Sequence, residues 1–278
     1  MRIQWFPGHM NKALKVLEEQ LEVVDVVIYV LDARAPNSCL NPEFRKRISK
    51  KPVIYVLNKC DLIEAETAQK FKQQFTSENS SCIILNSLAT QSAKALIPEI
   101  EKLTKDKVEK YANKGVNICV RAVVIGVPNC GKSTLINNLC GKYKAQTGNK
   151  AGVTRGKQWV KINNKIEVLD MPGTLWPSFD NDTVAHNLAY IGSIRDEVID
   201  KTELCYDFIK DIISINKNCL EVRYNITIEQ DDEIINVFEK ICNSRKFILK
   251  GNEFDYDRCA ISVIDDFRKG RLGKICLE

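Results

Sequence analysis

The chain has 278 residues, 44% of them hydrophobic and 28% charged, so it can bury a real core in one large or two smaller domains. Eleven cysteines without a Cys-x-x-Cys pair, with only His9 and His186 as histidines, argue against a disulfide framework or zinc centre and for reduced cytosolic thiols. The N-terminus lacks the apolar core of a signal peptide and no apolar run approaches the length of a membrane span, which predicts a soluble, cytoplasmic protein; a formal charge of +5 permits a nucleic-acid partner without requiring one.

In chain order, a helix is expected from about Met10 to Leu21, followed by short β-branched runs at Val24–Leu31, Val53–Leu57 and Cys82–Leu85. A segment of helical period, Ala65–Phe75, separates the last two, as in buried parallel strands joined by crossover helices. Ala93–Asn113 reads as a helix ended by Gly115, and Ile118–Ile125 as a strand running into a glycine-rich turn and a helix over Ser133–Leu139. Lys157–Ile162 and Ile166–Leu169 flank Asn163-Asn164, the turn signature of an antiparallel hairpin. From about Ser193 the alternation gives way to helix-period apolar sets: Leu204, Phe208, Ile212; Ile234, Phe238, Ile241; Tyr256, Ala260, Ile264, Phe267. The expectation is an α/β domain with a six-stranded, mostly parallel sheet over residues 1–192, and a small all-α domain over 193–278.

The chemistry centres on Gly126-Val127-Pro128-Asn129-Cys130-Gly131-Lys132-Ser133, a phosphate-binding loop between strand and helix. Its backbone N–H groups, including those of Asn129, Cys130 and Gly131, can wrap phosphates at a helix N-terminus. Lys132 is placed to reach the β- and γ-phosphates and the Ser133 hydroxyl to ligate Mg2+, with Thr134 completing the set. Asp170-Met171-Pro172-Gly173 follows a strand at the distance where the carboxylate can hold magnesium through water and the Gly173 N–H can sense the γ-phosphate. Thr154, in Gly152-Val153-Thr154-Arg155, is a candidate switch residue closing over magnesium, with an ordinary loop residue as the alternative.

Asn58-Lys59-Cys60-Asp61 supplies base selectivity. Asp61 can accept from guanine N1 and N2 hydrogens that adenine does not match, Lys59 covers the ring, and Asn58 ties this loop to the phosphate loop. Ser87, after the strand ending at Leu85, is the companion position near guanine O6. The guanine motif precedes the phosphate loop, the reverse of the order in ordinary small G proteins, so the chain reads as a circularly permuted P-loop GTPase binding GTP and GDP. Asn58, Asn86, Gly126 and Gly173 all follow strand ends, as ligand loops of an open parallel sheet must. The expected first helix also brings His9 toward the γ-phosphate region.

The segments Trp5-Phe6-Pro7-Gly8-His9-Met10, Asp32-Ala33-Arg34-Ala35-Pro36, Asn41-Pro42, Asp170-Met171-Pro172-Gly173-Thr174-Leu175-Trp176-Pro177 and Asp266-Phe267-Arg268-Lys269-Gly270-Arg271-Leu272-Gly273, with the permuted motifs, resemble the ribosome biogenesis GTPase A (YlqF/RbgA) family over essentially the whole chain. The resemblance implies a GTPase that binds the late precursor of the large ribosomal subunit, is stimulated by it and leaves after hydrolysis. It implies His9 as the residue orienting the attacking water, since Thr174 stands where ordinary G proteins carry glutamine; capping the helix or binding RNA is the alternative. It further implies that Asn129 helps bind K+ beside the phosphates, against a plain turn residue. The start at the Trp5–Met10 motif points to a bacterial cytosolic form, and the free protein is expected to be monomeric.

Other expectations rest on residue type. Cys130 reads first as a small loop residue; the alternative is a reactive thiol, since it precedes a helix N-terminus, a setting that lowers a thiol pKa. Arg45-Lys46-Arg47 with Lys50-Lys51, Arg155 with Lys157, and Arg268, Lys269, Arg271 and Lys274 are candidate phosphate contacts to ribosomal RNA read by shape, each cluster alone being more often a solvated face. Cys276 is not in a terminal lipidation motif, against a membrane-traffic GTPase. A GTP-gated RNA-binding module in which hydrolysis is incidental is the competing function.

Overall fold

The computed structural model describes residues 8–141, 158–177, 179 and 181–278, with side chains of the first helix described from Leu14 onward. In chain order the elements are α1 (Gly8–Leu21), β1 (Val26–Asp32), α2 (Pro42–Ile48), β2 (Val53–Asn58), α3 (Ala65–Gln74), β3 (Ser80–Ile84), α4 (Leu96–Ala112), β4 (Val120–Ile125), α5 (Lys132–Cys140), β5 (Gln158–Lys161), β6 (Ile166–Asp170), α6 (Asp182–Tyr190), α7 (Lys201–Asn216), α8 (Asn218–Tyr224), α9 (Ile234–Arg245) and α10 (Tyr256–Arg268).

The sheet order is β3-β2-β1-β4-β6-β5. All neighbours are parallel except the β5–β6 hairpin, where Trp159 faces Leu169 and Val160 faces Val168. β1 has the continuous apolar run Val-Val-Ile-Tyr-Val-Leu and is buried along its whole length, as a central parallel strand with both faces covered must be. The expected α/β architecture with a six-stranded, mostly parallel sheet is therefore the observed one.

Element ends moved by a few residues. β1 and β4 start two residues later than expected, because Val24 and the Ile118-Cys119 pair precede the ladder. Two helices of this half were not anticipated. α2 begins with Asn41 as N-cap, its side chain accepting from the Glu43 N–H at 2.9 Å, and Pro42 at the first position. α6 uses Asn181 in the same way toward Thr183 N, at 2.7 Å.

Beyond α6 the chain is helical, as the change of period suggested. α7 and α10 pack along each other, with Phe208 and Phe267 ring centroids 5.0 Å apart and Tyr190 of α6 meeting Phe208 edge-on at 5.0 Å. Asp266, nearly fully buried in α10, is satisfied by Arg223 Nε at 2.8 Å, Arg271 Nη1 at 2.9 Å and the Tyr224 hydroxyl at 3.1 Å. Past α10 the backbone returns to the carboxyl ends of β2 and β1: Ile275 N donates to Leu62 O at 3.0 Å and Leu277 N to Arg34 O at 2.8 Å. The Glu278 carboxylate accepts from Asn37 N at 2.7 Å and Ser38 N at 2.8 Å. The helical part is thus hydrogen-bonded to the loops that follow β1 and β2. Among the described residues no helix is long and apolar enough to cross a membrane.

Candidate nucleotide-binding site

Four loops at the carboxyl ends of β2, β3, β4 and β6 converge, as the sheet order demands, and Asn58 joins three of them. Its Nδ2 donates to Cys130 O at 2.7 Å in the phosphate loop, and its Oδ1 accepts from Ser87 N at 2.9 Å and Ser87 Oγ at 2.8 Å. The predicted tie between guanine loop and phosphate loop is present, and Ser87 belongs to the same knot. Gly131 is confined by this arrangement: at φ +102° its backbone is left-handed, and a Cβ would lie 2.2 Å from Asn58 Nδ2. Asn138 of α5 repeats the tie from the other side, donating to Ser87 O at 2.9 Å and Ala89 O at 2.6 Å and accepting from Ala93 N at 3.1 Å. Sequence reasoning passed over Asn138 because an asparagine inside a helix carries no motif.

The phosphate loop runs from β4 into α5, whose first residue is Lys132. Lys132 was expected to extend toward β- and γ-phosphates. In this structure its ammonium donates to Val127 O at 2.7 Å and Gly126 O at 3.1 Å, a compact arrangement that satisfies a buried cation with carbonyls of its own loop. Lys59, expected to cover the base, has its ammonium on Asn129 O at 2.8 Å and on the Asp32 carboxylate at 2.8 Å. Asp61 stands exposed in the turn after Lys59, available to a base from solvent.

Ser133 Oγ and Asp170 Oδ2 are 3.1 Å apart. The Asp170 side chain is buried and its Oδ1 has no hydrogen-bond partner among the described residues; burial raises the carboxyl's pKa against the opposing pull of Lys132. An orphaned carboxylate oxygen beside a hydroxyl, at the foot of a phosphate-binding loop, is the donor set a hard cation takes. Gly173 is closely packed, since a Cβ there would come within 2.7 Å of Pro128 Cα and 2.9 Å of Lys132 Nζ. Thr134 lies half-buried in the first turn of α5.

Asn129 holds a positive φ of 58°, and its Nδ2 donates to Gly192 O at 2.7 Å. Next to it, Ser193 Oγ donates to Pro128 O at 2.8 Å. The phosphate loop is therefore braced by the turn after α6, and that turn is held by Arg268 of α10, which donates to Tyr190 O at 3.0 Å and Ala189 O at 2.8 Å. No motif pointed to Gly192 or Ser193.

Other expected positions are placed as follows. Cys130 is fully buried and burial raises its thiol pKa, outweighing Lys132 and Lys59, in line with the small loop residue expected first and against the reactive thiol. Thr174 is fully buried and its hydroxyl donates to Pro172 O at 3.1 Å, which turns it into its own loop. The basic tail is not a free cationic face: Arg268 meets Asp196 at 2.8 Å, Lys269 meets Asp265 at 2.9 Å, Arg271 meets Asp266 at 2.9 Å and Lys274 meets Glu64 at 3.6 Å. Of the α2 cluster, Arg47 is pinned by Glu18 and Glu43, and Lys51 donates to Val24 O, whereas Arg45, Lys46 and Lys50 are exposed. His9 occupies the first turn of α1, but its side chain lies outside the described residues, as do Thr154, Arg155 and Lys157.

With this geometry in view, a protein-family profile described as "50S ribosome-binding GTPase" matches residues 121–250, a span that includes the phosphate loop and Asp170–Gly173 but not Asn58–Asp61. The chain is 36% identical to ribosome biogenesis GTPase A of Bacillus licheniformis, covering all of this chain and 98% of that protein. Its identity to the protein of the same name from Bacillus cereus is 37%, over all of this chain and 94% of the other. The solved structure of GNP-bound YlqF from T. maritima superposes with a TM-score of 0.66 at 24% identity, over 96% of this chain and 97% of that one, which bears on the fold.

Proposed function

The chain belongs to the ribosome biogenesis GTPase A family and is a GTPase of ribosome assembly, and from that premise we propose that it acts on the late precursor of the large subunit, binding it in the GTP state and leaving after particle-stimulated hydrolysis. The single observation that carries the nucleotide site is the Asn58 knot, which sets a guanine loop, its companion loop and a phosphate loop in one rigid frame.

In this reading Asp61 accepts from the base, and the phosphate-loop N–H groups and Lys132 hold the phosphates, with Lys132 exchanging its two carbonyl partners for phosphate oxygens. Ser133 and Asp170, joined by Thr154, would hold magnesium, which fits the unpartnered Asp170 oxygen. When bound, the cation supplies charge neutralisation at the transferring phosphoryl group. Gly173 presents its N–H to the γ-phosphate, His9 orients the attacking water, and Asn129 contributes its amide oxygen to a potassium ion.

Residues 193–278 are the part we assign to the particle, read by shape, with Arg45 and Lys46 of α2 and Lys50 just beyond it as exposed phosphate contacts. A cytoplasmic, monomeric free protein belongs to the same reading. The test is GTP turnover in potassium and in sodium, with and without large subunits, for wild type and His9→Ala. Stimulation that is lost in the variant while GTP affinity stays intact supports the assignment. No stimulation in either salt favours a GTP-gated RNA-binding module instead, and stimulation that survives in the variant removes His9 from the chemistry.

A further inference from the structure

The guanine motif is backed by a buried charge relay that none of its own residues announces. Asp32 closes β1 directly opposite Asn58 in the β1–β2 ladder and is fully buried. One oxygen accepts from Arg34 Nε at 2.9 Å and Arg34 N at 3.1 Å; the other accepts from Arg34 Nη2 at 2.7 Å and Lys59 Nζ at 2.8 Å. Arg34 is 2% exposed. Its remaining nitrogen, Nη1, donates to Phe267 O at 3.3 Å and Arg268 O at 3.4 Å, at the carboxyl end of α10, and its guanidinium lies 4.9 Å over the Phe267 ring. A cation at a helix C-terminus is favourably placed against the helix dipole. From the other direction, Lys59 carries the chain of bonds to Asn129 O in the phosphate loop.

Lysine is a flexible stem carrying a point charge, and nothing in its own rotamers would hold it across a binding site. Here one carboxylate fixes where the ammonium sits, and that carboxylate is itself immobilised by a two-point arginine locked to a helix end. Fixing a side chain before the ligand arrives lowers the ordering cost of binding.

We propose that Asp32 is a positioning residue for guanine-nucleotide binding: its carboxylate holds Lys59 in register with the phosphate loop, and Arg34 holds Asp32 to the end of α10. The inference rests on the assignment of Asn58–Asp61 to the guanine base. It makes the seat of α10 a determinant of nucleotide affinity, through bonds that touch neither the base nor the phosphates.

The test is a double-mutant cycle on the full chain, with fluorescent GDP and GTP titrations, turnover at saturating GTP, and a thermal melt for each variant. Asp32→Asn keeps the shape and removes the charge. It should weaken both nucleotides about tenfold, the scale of a hydrogen bond to a charged group, while turnover at saturation changes by less than roughly twofold. In a Lys59→Met background the same substitution should add no further loss. An equal loss in both backgrounds, or lost turnover with intact affinity, overturns the proposal. If Lys59→Met weakens binding and Asp32→Asn does not, only the role of Asp32 fails; if Lys59→Met leaves affinity unchanged, the guanine-loop assignment fails first and this inference with it. Should Asp32→Asn not fold because Arg34 is left as a buried unpaired cation, the paired variant Asp32→Asn/Arg34→Met removes that charge as well and is put through the same cycle, with the same tenfold loss expected.

Discussion

Replacing Asn58 by alanine should loosen the site before any nucleotide is present. The side chain is 2% exposed and makes three hydrogen bonds to two other loops, so truncation leaves Cys130 O, Ser87 N and Ser87 Oγ without their partner. At a net value of about 1 kcal/mol each, the loss is about 3 kcal/mol. For a chain of this size a loss of that scale lowers the thermal midpoint by roughly 6 °C, at about 2 °C per kcal/mol. A circular-dichroism melt without ligand reads the effect directly. Ser87→Ala removes only the hydroxyl donor and should cost about 1 kcal/mol, roughly 2 °C. If Asn58→Ala melts within about 1 °C of wild type, or Ser87→Ala is the more damaging change, the knot is not what holds the three loops together.

Thiol labelling of the native protein should reach Cys119 first, because among the eleven cysteines it alone is exposed, and should leave Cys130 unlabelled with or without GDP; peptide mapping after partial alkylation decides it. Arg268→Met removes the brace on Ala189 and Tyr190 and should cost about 1–3 kcal/mol in urea unfolding. It should also raise the Kd for GDP through the Gly192–Asn129 contact, and unchanged affinity would show that the brace does not reach the phosphate loop. For Asp32, burial acts to raise the carboxyl pKa, but Arg34 and Lys59 overcome it and hold the group well below the usual carboxylate range. Its stabilisation is therefore complete above the unfolded value of about 3.9 and is lost only as pH falls through the folded one. The stability gap between wild type and Asp32→Asn should be the same at pH 7 and pH 5 and shrink below about pH 4; a gap that closes between pH 7 and pH 5 contradicts the buried pair.

What could be read from the sequence was what is written locally. The strands announced themselves because parallel strands covered on both faces are short β-branched runs, and Asn163-Asn164 marked the hairpin. α2 was equally written, with Asn41 as cap and Pro42 behind it, but its Arg45-Lys46-Arg47 stretch was weighed as charge rather than as helix. The Asn58 tie between the loops was anticipated. Its reinforcement by Asn138, the clamp of Ser193 on Pro128 and the anchoring of Arg34 on α10 were not, because those partners lie far along the chain: Arg34 meets the Phe267 carbonyl 233 residues on. The ion pairs of the basic tail were legible only in part. Lys269 pairs with Asp265 one helical turn away, which a sequence can show, while Arg268 and Lys274 find Asp196 and Glu64, which it cannot.

The strand order also divides the sheet in time. β3, β2 and β1 come from the first part of the chain and carry the loops assigned above to the base; β4, β6 and β5 come later and carry the phosphate loop, and the two halves join along Val26–Tyr29 against Ala122–Ile125. A nucleotide seated on both halves is a clasp across that join. In chain order the residues assigned to the base are all made before those assigned to the phosphates, and the clasp is complete only once β6 has been laid down. Bound nucleotide stabilises whatever it binds in proportion to the logarithm of its concentration, so in this permuted order the ligand favours the finished sheet over its first half.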